Sequence, residues 1–248
     1  MKQKFIKLFF LLIPCFLTFS CKKSKEEPVP ETPKGSIELH LHNYIGASEV
    51  DGYGIVYETE EGRRIAMNEG QFYLYNFELI STQGNYLIKD ATVLKVQDEY
   101  VYYLGEVPLG VYQSVAFTIG VDTTKGNKRS LYDHNEMYFN NKKGDEIGFF
   151  KFSGSIDTTA SMDGVTLIPF SYLIGLKANE RRVVMPQSRF SVQQIGTAFI
   201  HMYADYSRVF NGLNISQKEN LLIQSQEQNR TSLSTKIADN LKTIFVYE

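Results

Sequence analysis

The chain is poor in the residues that most often carry chemistry. It has no tryptophan, and its two cysteines, Cys15 and Cys21, both lie near its start. The rest of the chain can therefore form no disulfide, and it offers no thiol nucleophile or cysteine metal ligand. An excess of positive charge is also missing, since 26 basic residues face 28 acidic ones. That balance argues against a nucleic acid partner.

Enzyme signatures are missing as well. The sequence contains no Gly-x-Ser-x-Gly elbow, no Walker A loop, no His-Glu-x-x-His motif and no Gly-x-Gly-x-x-Gly motif. A carboxylate pair for glycoside hydrolysis is brought together by the fold rather than by sequence spacing, so the sequence provides no pointer to one. We therefore expect a protein that is not an enzyme.

The N-terminal residues 1–20 have the order of a secretory signal. They carry three lysines, then an apolar run interrupted by Pro14, then Thr-Phe-Ser before Cys21. The run is shorter than the roughly 20 apolar residues that span a bilayer. We predict cleavage before Cys21 and lipidation of that cysteine, whose several acyl chains would give a stable membrane anchor. The alternative is an ordinary secreted protein with a cysteine at the cleavage boundary.

Residues 21–34 are charged and rich in proline, with one aliphatic side chain. Such a segment cannot bury enough surface to fold, so we predict a flexible tether. Lys25, Glu26 and Glu27 resemble the charged export tag of surface lipoproteins in the Bacteroidetes, and a generic solvated linker explains them equally well. We expect a lipid-anchored protein of the outer membrane or cell envelope, either periplasmic or surface-exposed.

Residues 35–248 are expected to form one domain, because no second proline- or serine-rich linker interrupts them. In the first predicted strand, Ile37, Leu39 and Leu41 alternate with polar residues. Turn signals separate further aromatic and β-branched runs, which indicates an antiparallel β-sandwich. These runs are 54–57, 71–75, 86–88, 101–104, 111–119, 149–152, 165–170 and 189–192.

Near the C-terminal end we predict one or two short helices. One candidate covers residues 204–210, and the other covers residues 216–228 or, after them, residues 232–244. In the last of these, the apolar residues Ile237, Leu241 and Ile244 fall at i, i+4 and i+7, which suits a helix lying on the sandwich. The predicted fold class is therefore all-β with short C-terminal helices.

The four histidines are His40, His42, His134 and His201. His40 and His42 stand two residues apart on a predicted strand, so their side chains share one face and could share a metal ion. Both lie on the polar side of an exposed strand, where neighbouring histidines also occur by chance. On spacing alone, ordinary surface histidines are the simpler interpretation.

Several short motifs also follow one another in the order found in a known family. Together they resemble the copper-binding protein MbnP-like domain family, from Gly35 to the C-terminus. Each motif is weak alone, and their common order carries the resemblance. It implies a copper site that includes His42. The matching segments are 35–46, 72–79, 110–122 with Asn127, 137–138, 151–154, 170–175, 205–210 and 237–240.

The chain departs from that family at the copper ligands. Family members place tryptophans directly after a Met-Tyr pair, whereas Phe139 follows the pair here. Their second histidine precedes Leu-Gly in a Phe-x-Tyr-His-Leu-Gly strand, where this chain has Leu173. Of the matched ligand positions only His42 remains, and one imidazole does not make a selective copper site.

Two functions follow from these expectations. The first is a membrane-anchored, non-catalytic envelope lipoprotein that binds copper through His42, with help from His40 and His134. The second is a metal-free module of the cell envelope that recognises a protein or glycan partner through its loops. The family resemblance favours the first function, and the residue chemistry favours the second.

Overall fold

The computed structural model describes residues 32–122, 134–142 and 146–248. The predicted signal peptide, Cys21 and most of the predicted tether lie outside the described residues. Contacts gather Pro33–Glu248 into one compact unit. Within the described ranges, no helix is long and apolar enough to cross a membrane.

Strands dominate the described residues, and the one α-helix comes near their end. The strands are β1 Lys34–Ile45, β2 Ser48–Glu49, β3 Val56–Glu58, β4 Arg64–Ile80, β5 Tyr86–Leu87, β6 Thr92–Lys95, β7 Val101–Pro108, β8 Gly110–Tyr112, β9 Ser114–Ile119, β10 Gly148–Asp157, β11 Leu167–Gly175, β12 Arg181–Val184, β13 Phe190–Val192, β14 Thr197–Asp205, β15 Leu222–Ile223 and β16 Phe245–Tyr247. The helix α1 is Ser232–Leu241. The predicted all-β, sandwich-like class is thereby confirmed.

The first sheet is built on β1. Its alternating apolar residues Ile37, Leu39 and Leu41 all point inward and are fully buried, while the residues between them face outward. β1 pairs in parallel with β14 along one edge. Along the other edge it pairs antiparallel with β7 and β2. β16 pairs antiparallel with β14 and extends this sheet.

The second sheet is organised by β4, which is 17 residues long and pairs antiparallel with β3, β5, β6, β9 and β10. β12 pairs with β9, β11 pairs with β10, and the short β15 pairs in parallel with β11. β8 and β13 form a separate two-stranded sheet. Most pairs are antiparallel as expected, but the two parallel pairs make both large sheets mixed.

Aromatic side chains fill the space between the two large sheets. Phe245 on β16 packs against Phe72 on β4 at 5.5 Å and against Phe117 on β9 at 4.9 Å, measured between ring centroids. Tyr206, directly after β14, is fully buried and packs against Phe152 on β10. The two sheets therefore share one core, which leaves the opposite face of each sheet for other contacts.

The helix predictions succeed in part. α1 lies inside the predicted range 232–244, and the side chain of Thr231 caps it by accepting a hydrogen bond from the backbone N–H of Ser234. The alternative range 216–228 is not an α-helix, because it contains β15 and the 3₁₀ turn Lys218–Leu221. The predicted helix 204–210 is a 3₁₀ turn over its last five residues. The 3₁₀ turns are Asn135–Met137, Phe139–Asn141, Lys177–Asn179, Tyr206–Phe210, Lys218–Leu221 and Gln228–Arg230.

Candidate functional site

Three of the four histidines meet on the outer face of the first sheet. His40 and His42 alternate with the buried residues of β1, so both face away from the core, as the sequence predicts. The parallel register of β1 and β14 places His201 directly beside His40, with the two ring centroids 4.7 Å apart. We call His40, His42 and His201 the histidine face. Sequence reasoning did not connect His201 with the other two.

His42 is held from two sides. Its Nδ1 lies 2.5 Å from Oε1 of Glu49, a residue that the turn after β1 brings back into register beside Tyr44. Its ring stacks on Tyr100 with centroids 5.1 Å apart and the planes 24° from parallel. These contacts fix the direction in which Nε2 of His42 points, which is towards Oε1 of Glu248 at 3.9 Å.

The carboxylate of Glu248 lies between two imidazoles. Its Oε2 is 4.0 Å from Nδ1 of His201, while its Oε1 faces His42. The backbone N–H of Glu248 donates to the carbonyl oxygen of His201 at 3.3 Å, which holds the residue beside β14. Two imidazole nitrogens and one carboxylate therefore converge from three different parts of the chain.

His40 packs against two neighbouring rings. Its ring packs edge-on against Phe199 as well as against His201. Among the described residues, its Nε2 is a buried nitrogen without a hydrogen-bond partner. Burial and then the neighbouring His201 lower the pKa of His40, a shift that favours the neutral imidazole.

His134 is not part of the histidine face. Its Nδ1 pairs with Oε1 of Glu136 at 3.0 Å, just before a 3₁₀ turn. It lines a cavity of about 370 Å³ together with residues of β6 and β7, Tyr103 among them. It makes none of the ring contacts or ion pairs that the described residues show for His40, His42 and His201. None of the contacts described places His134 directly against His42, and its role as a metal ligand stays a prediction.

The position of the family's second histidine lies on the other side of the sandwich. Leu173 alternates with Tyr172 and Ile174, which belong to the core between the sheets, so Leu173 faces outward from the second sheet. Phe139 covers this face close to Gly175, where a Cβ atom would lie 2.9 Å from the Phe139 ring. His42 faces outward from the first sheet, so a side chain at position 173 cannot reach it.

The donor atoms of the histidine face are near one another but are not drawn together. In the described ranges, no group of three or more His, Cys, Asp or Glu side chains is placed so that it could hold a metal ion. What the histidine face offers is donor atoms of the right chemical type, the unpartnered Nε2 of His40 and the carboxylate between His42 and His201. Imidazole nitrogen suits copper, zinc and nickel.

The fold and this face define a β-sandwich domain with a cluster of histidines on one outer sheet surface. The chain belongs to the MbnP family, whose model matches residues 34–229. The family predicted from the order of the sequence motifs is thereby confirmed. MbnP from Methylosinus trichosporium is a similar solved structure, with 16% identity, a TM-score of 0.46, and coverage of 75% of this chain and 80% of that chain. No curated protein matches the chain.

Proposed function

We propose that this protein is a non-catalytic, lipid-anchored lipoprotein of the cell envelope whose MbnP domain binds copper through the histidine face. The observation that carries the proposal is the cross-strand contact of His40 with His201. This contact adds a histidine from β14 to the two histidines of β1. The face therefore has three imidazole groups, whereas the comparison of sequence motifs left His42 as the only matched ligand. A set of imidazole ligands favours copper over the earlier first-row divalent metals.

Copper binding is tested by calorimetric titration of the detergent-solubilised full chain with Cu²⁺. His42→Ala and His201→Ala should each weaken binding by about 100-fold or more, since loss of a residue that only supports a ligand already costs about 10–100-fold. His134→Ala is the matched control, because His134 pairs with Glu136 and has no direct contact with His40, His42 or His201 among the contacts described. Equal affinities in all the variants and the wild type would refute the proposal.

The anchor is tested separately by substitution of the two cysteines. Cys21→Ser should abolish incorporation of labelled palmitate and move the protein from the membrane fraction to the soluble fraction, because the acyl chains provide the membrane affinity. Cys15→Ser is the control, since Cys15 lies inside the predicted signal and should leave both readouts unchanged. Membrane-bound, labelled Cys21→Ser protein would rule out Cys21 as the anchor.

A second function is supported by the surroundings of the same face. Tyr103 on β7 and Phe199 on β14 are large side chains that stay 61% and 44% exposed. Exposed tyrosine is enriched at protein interfaces, where its ring is buried and its hydroxyl group finds a polar partner. A metal-free envelope module is therefore the alternative, and it predicts no more copper affinity than any protein with surface histidines has.

A further inference from the structure

A cavity of about 490 Å³ lies beside the turn that follows β14. Its lining comes from four parts of the fold, which are the turn between β3 and β4, the strand β10, the 3₁₀ turn after β14 with the loop that follows it, and the junction between α1 and β16. Sites that hold small molecules have volumes of about 300–1,000 Å³. The lining includes neither the histidine face nor His134, so this cavity is a separate candidate site.

Two arginines line the cavity, and the surrounding chain holds both of them in place. Nη1 of Arg63 donates to the carbonyl oxygen of Asp157 at 2.6 Å. Arg208 donates from Nε to Oδ2 of the buried Asp205 at 2.9 Å and from Nη1 to the carbonyl oxygen of Thr243 at 3.0 Å. Both guanidinium groups are therefore fixed before a ligand arrives, which lowers the entropy that binding would cost.

The Nη2 groups of the two arginines are left for a ligand. Among the described residues, Nη2 of Arg63 has no hydrogen-bond partner, and Nη2 of Arg208 lies 4.0 Å from Oε1 of Glu60, too far for a hydrogen bond. The side chain of Glu60 is 70% exposed, and an ion pair this exposed contributes little. An oxyanion at hydrogen-bond distance would gain more, because charge-assisted bonds to guanidinium are about twice as strong as neutral ones.

Part of the lining is apolar. Phe210, Leu213 and Ile215 line the cavity along the loop after β14. The backbone N–H of Leu213 donates to the carbonyl oxygen of Phe210 at 2.9 Å, and Nδ2 of Asn240 on α1 donates to the carbonyl oxygen of Asn211 at 2.8 Å. These bonds hold the loop against the helix. Fixed guanidinium groups and apolar side chains in one cavity suit a molecule with an anionic group and an apolar group.

We infer that this cavity binds a carboxylate group that stands next to an apolar side chain, as in an N-acylated apolar amino acid or the C-terminal end of a peptide. The carboxylate accepts from Nη2 of Arg63 and of Arg208, and Leu213 contacts the apolar side chain. Glu60 and Glu61 also line the cavity, and they repel a singly charged carboxylate less than a doubly charged phosphate. The site is independent of the proposed copper function.

The ligand class is tested by calorimetric titration of the detergent-solubilised full chain with N-acetylleucine and with N-acetylleucinamide. The amide should bind at least about 10-fold more weakly, which is the loss expected for charge-assisted hydrogen bonds. An acetylated peptide that ends in leucine distinguishes the two sources of the carboxylate. Tighter binding of the peptide than of N-acetylleucine assigns the site to a peptide terminus, and the reverse order assigns it to a free acid.

Three results would overturn the inference. The first is equal affinity for N-acetylleucine and its amide. The second is binding of inorganic phosphate as tight as that of N-acetylleucine, because the apolar side chains would then contribute nothing. The third is binding to vesicles that contain an anionic lipid without binding of N-acetylleucine or the peptide, which would assign the arginines to a membrane surface.

Glu60→Gln tests the position of the carboxylate without touching the core. Affinity for N-acetylleucine should rise roughly 2–5-fold, because the variant removes a competing charge beside Nη2 of Arg208. Glu106→Gln is the control, since Glu106 is an exposed acid on β7 that does not line the cavity. Unchanged affinity in Glu60→Gln would contradict the placement of the carboxylate at Arg208.

Arg63→Lys keeps the positive charge but removes the planar guanidinium group. Affinity for N-acetylleucine should fall about 10-fold, while the affinity for Cu²⁺ stays unchanged. Arg182→Lys is the control, because Arg182 on β12 pairs with Glu78 and does not line the cavity. Urea unfolding of each variant shows that the protein titrated is folded. Equal affinities in Arg63→Lys and the wild type would remove Arg63 from the site, whatever the copper titration shows.

Discussion

Replacing Asp205 with alanine is expected to lower the free energy of unfolding by roughly 3–5 kcal/mol, because it removes a buried carboxylate that is the acceptor for several hydrogen-bond donors. The side chain is fully buried at the end of β14. Its Oδ1 accepts from the backbone N–H groups of Gly46 and Ser207, both at 3.0 Å, and its Oδ2 accepts from Nε of Arg208 at 2.9 Å. Alanine leaves these donors without an acceptor, and each buried one costs about 1–3 kcal/mol.

The effect of Asp205→Ala should be visible in urea denaturation as a lower midpoint at an unchanged slope. A suitable control is Asp239→Ala, because Asp239 is a half-exposed carboxylate that pairs with Arg181 and Lys242. A surface pair of this kind contributes about 1 kcal/mol or less. Similar midpoints for the two variants would show that the hydrogen bonds of the Asp205 side chain, including the one to Gly46, do not stabilise the fold.

Asp205 also shows what the sequence could predict about single residues. Asp205 lies at the start of the predicted helix 204–210, and its side chain caps the 3₁₀ turn by accepting from the backbone N–H of Ser207. Its bond to Gly46 joins residues far apart in the chain. No local pattern contains that contact, because it depends on the parallel pairing of β1 with β14.

The difference between local patterns and long-range strand pairing also explains why the sequence predicted only part of the histidine face. That His40 and His42 share a face follows from the two-residue period of a strand, which is a local property. His201 joins them only through the register of β1 with β14, which alternation does not specify. Glu49 was within reach of sequence reasoning, since Gly46 marks a turn after His42 and the returning chain brings Glu49 beside it.

The wrong helix at residues 216–228 has a physical reason that the sequence contains. Leu221, Leu222 and Ile223 are consecutive, so no helical spacing puts all three on one face. In the structure Leu221 and Ile223 are buried while Leu222 is exposed, which is the two-residue period of a strand. Ile223 then pairs beside Tyr172 on β11. Pairing with β11, rather than the local sequence pattern, therefore determines the secondary structure of this segment.

Phe152→Ala is expected to destabilise the protein by about 3–5 kcal/mol, the usual loss for a buried phenylalanine. Phe152 on β10 is fully buried, and its ring centroid lies 4.7 Å from that of Phe170, 4.9 Å from Tyr206 and 5.8 Å from Phe210. These neighbours come from β11 and from the turn after β14, so alanine would leave a cavity where the sheets meet. Thermal and urea unfolding would measure the loss.

The matched control for Phe152→Ala is Phe199→Ala, the same change on a strand whose side chain is 44% exposed. Surface changes of this kind stay within about 0.5 kcal/mol. The two variants should separate effects on stability from effects on copper binding. Phe152 lies in the core, whereas Phe199 packs on His40 of the histidine face. We expect the folded fraction of Phe152→Ala to keep its copper affinity while its unfolding midpoint falls. If Phe199→Ala destabilises the fold as much as Phe152→Ala, the outer face of the first sheet is not the open surface that the structure describes.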